Sequence, residues 1–334
     1  MDEIRFRTEL EKLDCQGILH YSNPILSIGS CFATEIGQQL EKDLFDIIIN
    51  PFGPLYNPVS ISKGLRTIAQ NRIYTKNDLR KDKNGLWHSF EHHSLFSSLD
   101  PENCLSKINK SMELANKYLY EPNLILMITL GSARGFRHIE NRNIVANCHK
   151  FPSSEFVVVD FNVEELIDEL TETLNLIRQI NKTVKVIFTV SPVRHISYGL
   201  HNDKISKATL LLVVDKLQHK FSFVDYFPSY EIMMDDLRDY RFYEADMVHP
   251  SKTAVQYIYK RFLDTYFDKD EEPLMKKCRD YIKRRCHRLQ NPQSKEGQEF
   301  IQRNLTIKNE LCGLSPHIKA AIERMQDERQ EIYN

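Results

Sequence analysis

The sequence predicts a three-layer α/β/α sandwich on a mainly parallel sheet, followed by a helical C-terminal extension. Three observations carry that expectation. Short apolar runs alternate with stretches of helical periodicity. The runs are apolar throughout rather than alternating, as strands covered on both faces are. The residues able to do chemistry follow the ends of those runs, where open parallel sheets collect their working groups. The sandwich is expected over residues 1–267 and the extension over 268–334.

The elements follow in order. Ile25 to Gly29 reads as a buried strand that stops at a tight turn, and Phe32, Ile36, Leu40 and Leu44 then fall at helical spacing. Phe45 to Ile49 is a second strand running into the rigid turn Asn50-Pro51-Phe52-Gly53-Pro54. The polar stretch from about 60 to 121 reads as an insertion over the fold. Inside it, Trp87 to His93 is dense in rings and reads either as a lid or as a patch pinning the insertion down. Leu124 to Leu130 is a strand ending at Gly131. Asn162 to Ile180 is a helix with Leu166, Ile167, Leu170, Leu174 and Ile177 on one face. Val184 to Val190 is a strand ending at Ser191-Pro192, and Ile205, Thr209, Leu212, Val213 and Leu217 mark the next helix. Phe223 to Tyr226 is a short strand, and Val255, Ile258, Tyr259, Phe262, Leu263 and Tyr266 form a helical stripe. From Asp268 the chain becomes charged and helical, with a basic stretch from Lys276 to Arg288.

Bulk properties exclude several function classes. The 334 residues are enough for a large core. A net charge of -1 gives the whole chain no field to steer nucleic acid or anionic lipid, so neither is expected as a partner. The first ten residues lack the apolar core of a secretory signal, and no apolar run reaches membrane-spanning length. Seven cysteines, an odd number without pattern, read as free thiols in a reducing cytoplasm. No oligomeric state is encoded in any motif.

Two segments carry the chemistry. Gly29-Ser30-Cys31 places a hydroxyl and a thiol at a strand-to-helix turn, where the helix dipole and free backbone N–H groups favour a thiolate and a developing oxyanion. Either Cys31 or Ser30 is a candidate nucleophile; the bland alternative is a buried cysteine beside a capping serine. Far downstream, Asp246 precedes His249 by three residues, the spacing of an acid that orients a basic imidazole, although the same pair also suits a helix start. Arg194 and His195 follow a strand end; Arg194 suits a carboxylate or phosphate, and His195 and His149 are further bases or substrate contacts. Cys148 and His149 with Cys31 and His249 would make a soft-metal set, but no paired Cys-x-x-Cys spacing supports one; no metal and no cofactor are expected.

Gly29-Ser30-Cys31-Phe32-Ala33 spells the motif of the GSCFA-domain family, which resembles a branch of the SGNH/GDSL hydrolase superfamily. The resemblance covers about 25–262 and extends to 147–150, 191–195 and 239–243. It implies Cys31 as nucleophile, His249 as base, Asp246 as orienting acid and Gly53 as an oxyanion donor. The third block departs from the superfamily: Gly131-Ser132-Ala133-Arg134 stands where an asparagine would donate, leaving Ser132, Arg134 or Asn147 as replacements. The expected function is an acyl hydrolase or acyltransferase acting on a small-molecule acyl substrate. The alternative is an altered module that binds a small polar or anionic metabolite through Arg194 and Lys150. A third reading assigns partner binding to the basic C-terminal helices.

Overall fold

The apolar runs gather into one sheet because each is covered on both faces. The structure, a computed structural model, describes residues 7–333 except 12, 14 and 16. In chain order the elements begin β1 (Ile25–Gly29), α1 (Cys31–Lys42), β2 (Ile47–Ile49) and α2 (Pro58–Ala69). A small hairpin of β3 (Arg80–Lys81) and β4 (Trp87–His88) precedes α3 (Pro101–Tyr120) and β5 (Ile125–Leu130). Next come β6 (Arg134–His138), β7 (Ile144–Val145), β8 (Phe156–Asp160), α4 (Val163–Ile180) and β9 (Lys185–Val190). The chain continues through α5 (Leu200–Lys220), β10 (Val224–Tyr226), the single turn α6 (Ser229–Glu231) and α7 (Lys252–Tyr266). It closes with α8 (Glu272–Arg285), α9 (Lys295–Leu314) and α10 (Pro316–Tyr333).

The central sheet has strand order β10-β9-β5-β1-β2 and every pairing in it is parallel. Register places Ile25 beside both Ile47 and Ile125, so the strand starts align and their carboxyl ends form one edge. Leu26, Ile28, Ile48, Leu126, Ile128, Val186 and Phe188 face α2 to α5; Ile25, Ile47, Ile125, Met127 and Ile187 face α1 and α7. The two cores alternate along each strand as the pleat demands. The expected α/β sandwich is therefore the observed one.

The stretch expected as an insertion is corrected. It supplies α2 and α3, whose Ile61, Leu65, Ile68, Cys104, Ile108 and Met112 are buried against the sheet. Only about 70–100 lacks long regular elements. A second, antiparallel sheet β7-β6-β8 follows β5 after a three-residue connection and stands over the carboxyl edge. The C-terminal helices are not appended to the surface. Cys278, Tyr281, Leu311, Ile318 and Ile322 are buried in the core on the α1 and α7 face. Arg279 grips Asp43 at 2.8 and 2.6 Å, and Asp46 takes His317 at 2.6 Å together with Arg324. Among the described residues no helix is long and apolar enough to cross a membrane.

Candidate functional site

The site begins with the turn between β1 and α1. A side chain at Gly29 is impossible without a shift, since a Cβ there would lie 2.2 Å from the Thr129 carbonyl oxygen. Asn50 clamps the turn from the end of β2: its Oδ1 accepts from the Gly29 N–H at 2.8 Å and its Nδ2 donates to Thr34 Oγ1 at 2.9 Å. Ser30 caps α1, with Oγ accepting from the Phe32 N–H at 3.3 Å, and is buried. The alternative with Ser30 as the attacking residue is thereby corrected, because its hydroxyl is the helix cap and does not line the cavity. Cys31 is the first residue of α1 and faces that cavity.

The cavity measures about 690 Å³, a size suited to a small molecule. Cys31, Asn147, Arg194, His195 and His249 all line it, although they come from four segments of the chain. Asp246 holds His249 from behind: Oδ2 lies 2.7 Å from Nδ1, while Oδ1 accepts from the backbone N–H groups of Val248 and His249. The His249 backbone and ring, then the Val248 N–H, pull the Asp246 carboxyl down to about 2. The acid is ionised at neutral pH and leaves Nε2 as the ring's outward nitrogen.

His195 lies on the other side of the base question. Its backbone N–H donates to Asp203 at 3.0 Å and its ring meets Tyr56 edge-on at 5.7 Å. Burial, reinforced by the charges of Lys207 and His249, pulls the imidazole down to about 4, so it is neutral at pH 7. The thiol goes the other way from the sequence expectation. Burial pushes Cys31 up, against the backbone N–H groups of Phe32 and Cys31 and the charge of Lys207. The helix terminus is present, but desolvation outweighs it. Among the described residues no hydrogen bond joins the sulfur to an imidazole.

Two residues at the candidate site escaped the sequence. Lys207, on α5, is 1% exposed, and its Nζ donates to the carbonyls of Gly131 and Ser191 at 2.7 Å each. These carbonyls sit just past β5 and β9, so the ammonium lies beneath the edge where Cys31 stands. Burial pulls it down to about 8, while Asp203 and Cys31 favour its charge. Asn57 lines the cavity at the start of α2; its Oδ1 accepts from the Ser60 N–H at 2.8 Å and no described residue accepts from its Nδ2. Its only sequence signal was Asn-Pro before a helix, which reads as a cap.

Four expected residues stand elsewhere. The Gly53 N–H donates to the Asn50 carbonyl at 2.6 Å, and the residue does not line the cavity, which corrects its oxyanion role. Ser132 is buried against Ser206 at 3.2 Å and accepts from the Arg134 N–H, so it holds the β5–β6 connection rather than a ligand. His149 is also off the cavity. Its Nε2 meets the Ser89 carbonyl at 2.8 Å, its ring packs on His88, and burial pulls it down to about 4. Lys150 is exposed and outside the lining. Asn147 does line it, with Oδ1 accepting from the His149 N–H at 2.9 Å. The Trp87 to His93 segment is the pinning patch and not a lid, since none of it lines the cavity and the Phe90 carbonyl accepts from Ala146 and Asn147.

No curated protein matches this chain. A family model described as the GSCFA family matches residues 24–262, which spans β1, the Gly29–Cys31 turn, the whole central sheet and the Asp246–His249 pair. The chain belongs to the GSCFA family.

Proposed function

We propose that this protein transfers acyl groups, to water or to another acceptor, through a thioester on Cys31. The observation that carries the reading is the meeting of Cys31 and the Asp246-backed His249 in one cavity at the carboxyl edge of the sheet. It is the placement that the motif resemblance to the SGNH/GDSL hydrolases implies. His249 takes the thiol proton as the sulfur attacks the acyl carbonyl, and returns it to the leaving oxygen or sulfur. It then takes a proton from water or an acceptor hydroxyl, which attacks the thioester; the C–S bond breaks, the acyl product leaves and the imidazolium returns its proton to the Cys31 sulfur. The backbone N–H groups that meet the Cys31 sulfur, with Asn57 Nδ2, supply donors for the oxyanion, which substitutes for the asparagine missing after Gly131. His195 stays neutral and packs beside Tyr56 as part of the wall.

Hydrolysis of an activated thioester tests the reading. Cys31→Ala is expected to fold and to lose on the order of a thousandfold or more in turnover. Asn57→Ser keeps an acceptor for the Ser60 N–H but withdraws the long donor, and is expected to lose about a hundredfold. Undiminished turnover in Cys31→Ala rejects the scheme. A second reading, a cavity that binds without reacting, is favoured by one observation: burial holds the Cys31 thiol toward its protonated form. A Cys31 that alkylates no faster than the exposed Cys286 would select it.

A further inference from the structure

The cavity beside Cys31 has a charge balance unlike that of the chain. The protein is close to neutral, with a net charge of -1. Yet no aspartate or glutamate lines the cavity, whereas the guanidinium groups of Arg134 and Arg194 do. The buried ammonium of Lys207 adds to the same sign from below. The neighbouring acids are already engaged: Asp160 holds Arg134 in a two-point grip at 2.5 and 2.9 Å, and Asp246 holds His249.

Arg194 is different. Among the described residues it has no carboxylate within ion-pair distance. Its guanidinium lies 5.6 Å from the centre of the Tyr243 ring, and its Nε is buried without a hydrogen-bond partner. A desolvated donor left unpaired costs free energy, and the planar guanidinium fork fits a carboxylate or phosphate better than any other ligand chemistry. The rest of the lining supplies the second requirement. Phe136, Val145, Phe156 and Val158, from the β6–β7–β8 sheet, give the cavity an apolar wall. The volume of about 690 Å³ holds a chain of several carbons as well as a head group.

We propose that this cavity binds an amphiphilic anion: a short acyl chain joined to a carboxylate or phosphate, with Arg194 on the anion and the β6–β7–β8 sheet against the chain. The proposal names the substrate class of the acyl-transfer reading and rests on the same cavity. It also holds for a cavity that only binds.

Calorimetric titration of the full-length Cys31→Ala protein near neutral pH tests it without any chemistry taking place. The probes are hexanoate, hexyl phosphate, hexanol and inorganic phosphate. At least one amphiphilic anion is expected to bind about tenfold or more tighter than hexanol and than inorganic phosphate, the size of one charge-assisted contact. The tighter of the two identifies the head group. Arg194→Met is expected to bring that ligand down to the hexanol level, with its melting curve reporting that the fold is intact. Val158→Asp, on a residue 50% exposed, is expected to weaken the same ligand by setting a carboxylate against the chain. Binding of hexanol as tight as either anion, unchanged binding in Arg194→Met, or no binding of any probe would overturn the proposal. Arg194-dependent binding in a protein that turns over no acyl substrate would end the acyl-transfer reading alone. Turnover indifferent to Arg194 and to the charge of the substrate would end this one alone.

Discussion

An ammonium group cut off from solvent, with no carboxylate at ion-pair distance among the described residues, needs a reason to be where Lys207 is. Burying a lone charge costs several kcal/mol, and two carbonyl acceptors offset only part of that. Its position under the strand ends gives it work: it opposes the burial that raises the Cys31 thiol. The sign can be followed through pH. Lys207 keeps its proton below about 8 and loses it above, so its support for a Cys31 thiolate exists on the acid side and fades on the alkaline side. Lys207→Met is therefore expected to move the iodoacetamide profile of Cys31 to higher pH, with the largest difference from the parent below pH 8 and convergence above it. The melting temperature reports the two abandoned carbonyls separately. Identical profiles for parent and variant would leave Lys207 with a structural role only. The sequence could not show this residue, because Asp203, Lys204 and Lys216 on the same helix make Lys207 look like one more solvated charge. Asn57 was hidden for a different reason, in that one side-chain oxygen already accounts for it as a cap.

At the scale of elements, the parallel strands were legible because their runs are apolar on both faces, and β1, β2, β5, β9 and β10 all fall where those runs stand. The β6–β7–β8 sheet was not, because Arg134-Gly135-Phe136-Arg137-His138 mixes charge with aromatic rings and contains no apolar run. Helix α3 did carry a signal, since Cys104, Ile108, Met112, Ala115 and Leu119 keep helical spacing, but cysteine, alanine and intervening lysines dilute it. The C-terminal helices look like a charged tail in sequence and behave as part of the core. Arg279 and Arg324 of those helices are spent on Asp43 and Asp46, the acids of the connection between α1 and β2. Ending the chain after Asp268 removes the cationic partners of both acids and uncovers the apolar surface now shared with Met275, Cys278, Tyr281, Leu311, Ile318 and Ile322. Each such side chain contributes about 1.5–3 kcal/mol when buried, against a net stability of about 5–15 kcal/mol for a whole protein. The truncated chain is expected to aggregate or to melt far below the parent; melting at the parent's temperature would show the helices to be dispensable to the fold.

For the whole molecule, the strand order does what no single motif can. Five parallel strands deliver their carboxyl ends to one edge, and the turn after β1, the loop after β9 and the loop before α7 therefore converge on one cavity. That convergence was legible from Gly29-Ser30-Cys31, Arg194-His195 and Asp246 to His249. The exclusion of Gly53, Ser132 and His149 was not, because it depends on which backbone groups each one satisfies. The central claim is a covalent acyl group on one sulfur. The most direct measurement is to mix the protein with an activated acyl thioester, quench in acid and map the added mass by peptide. The account predicts the acyl mass on the peptide carrying Cys31, removable by hydroxylamine, absent in Cys31→Ala and slowed in His249→Ala. Acylation confined to Cys148 or to any other residue, or steady turnover with no acyl mass on Cys31, would contradict it.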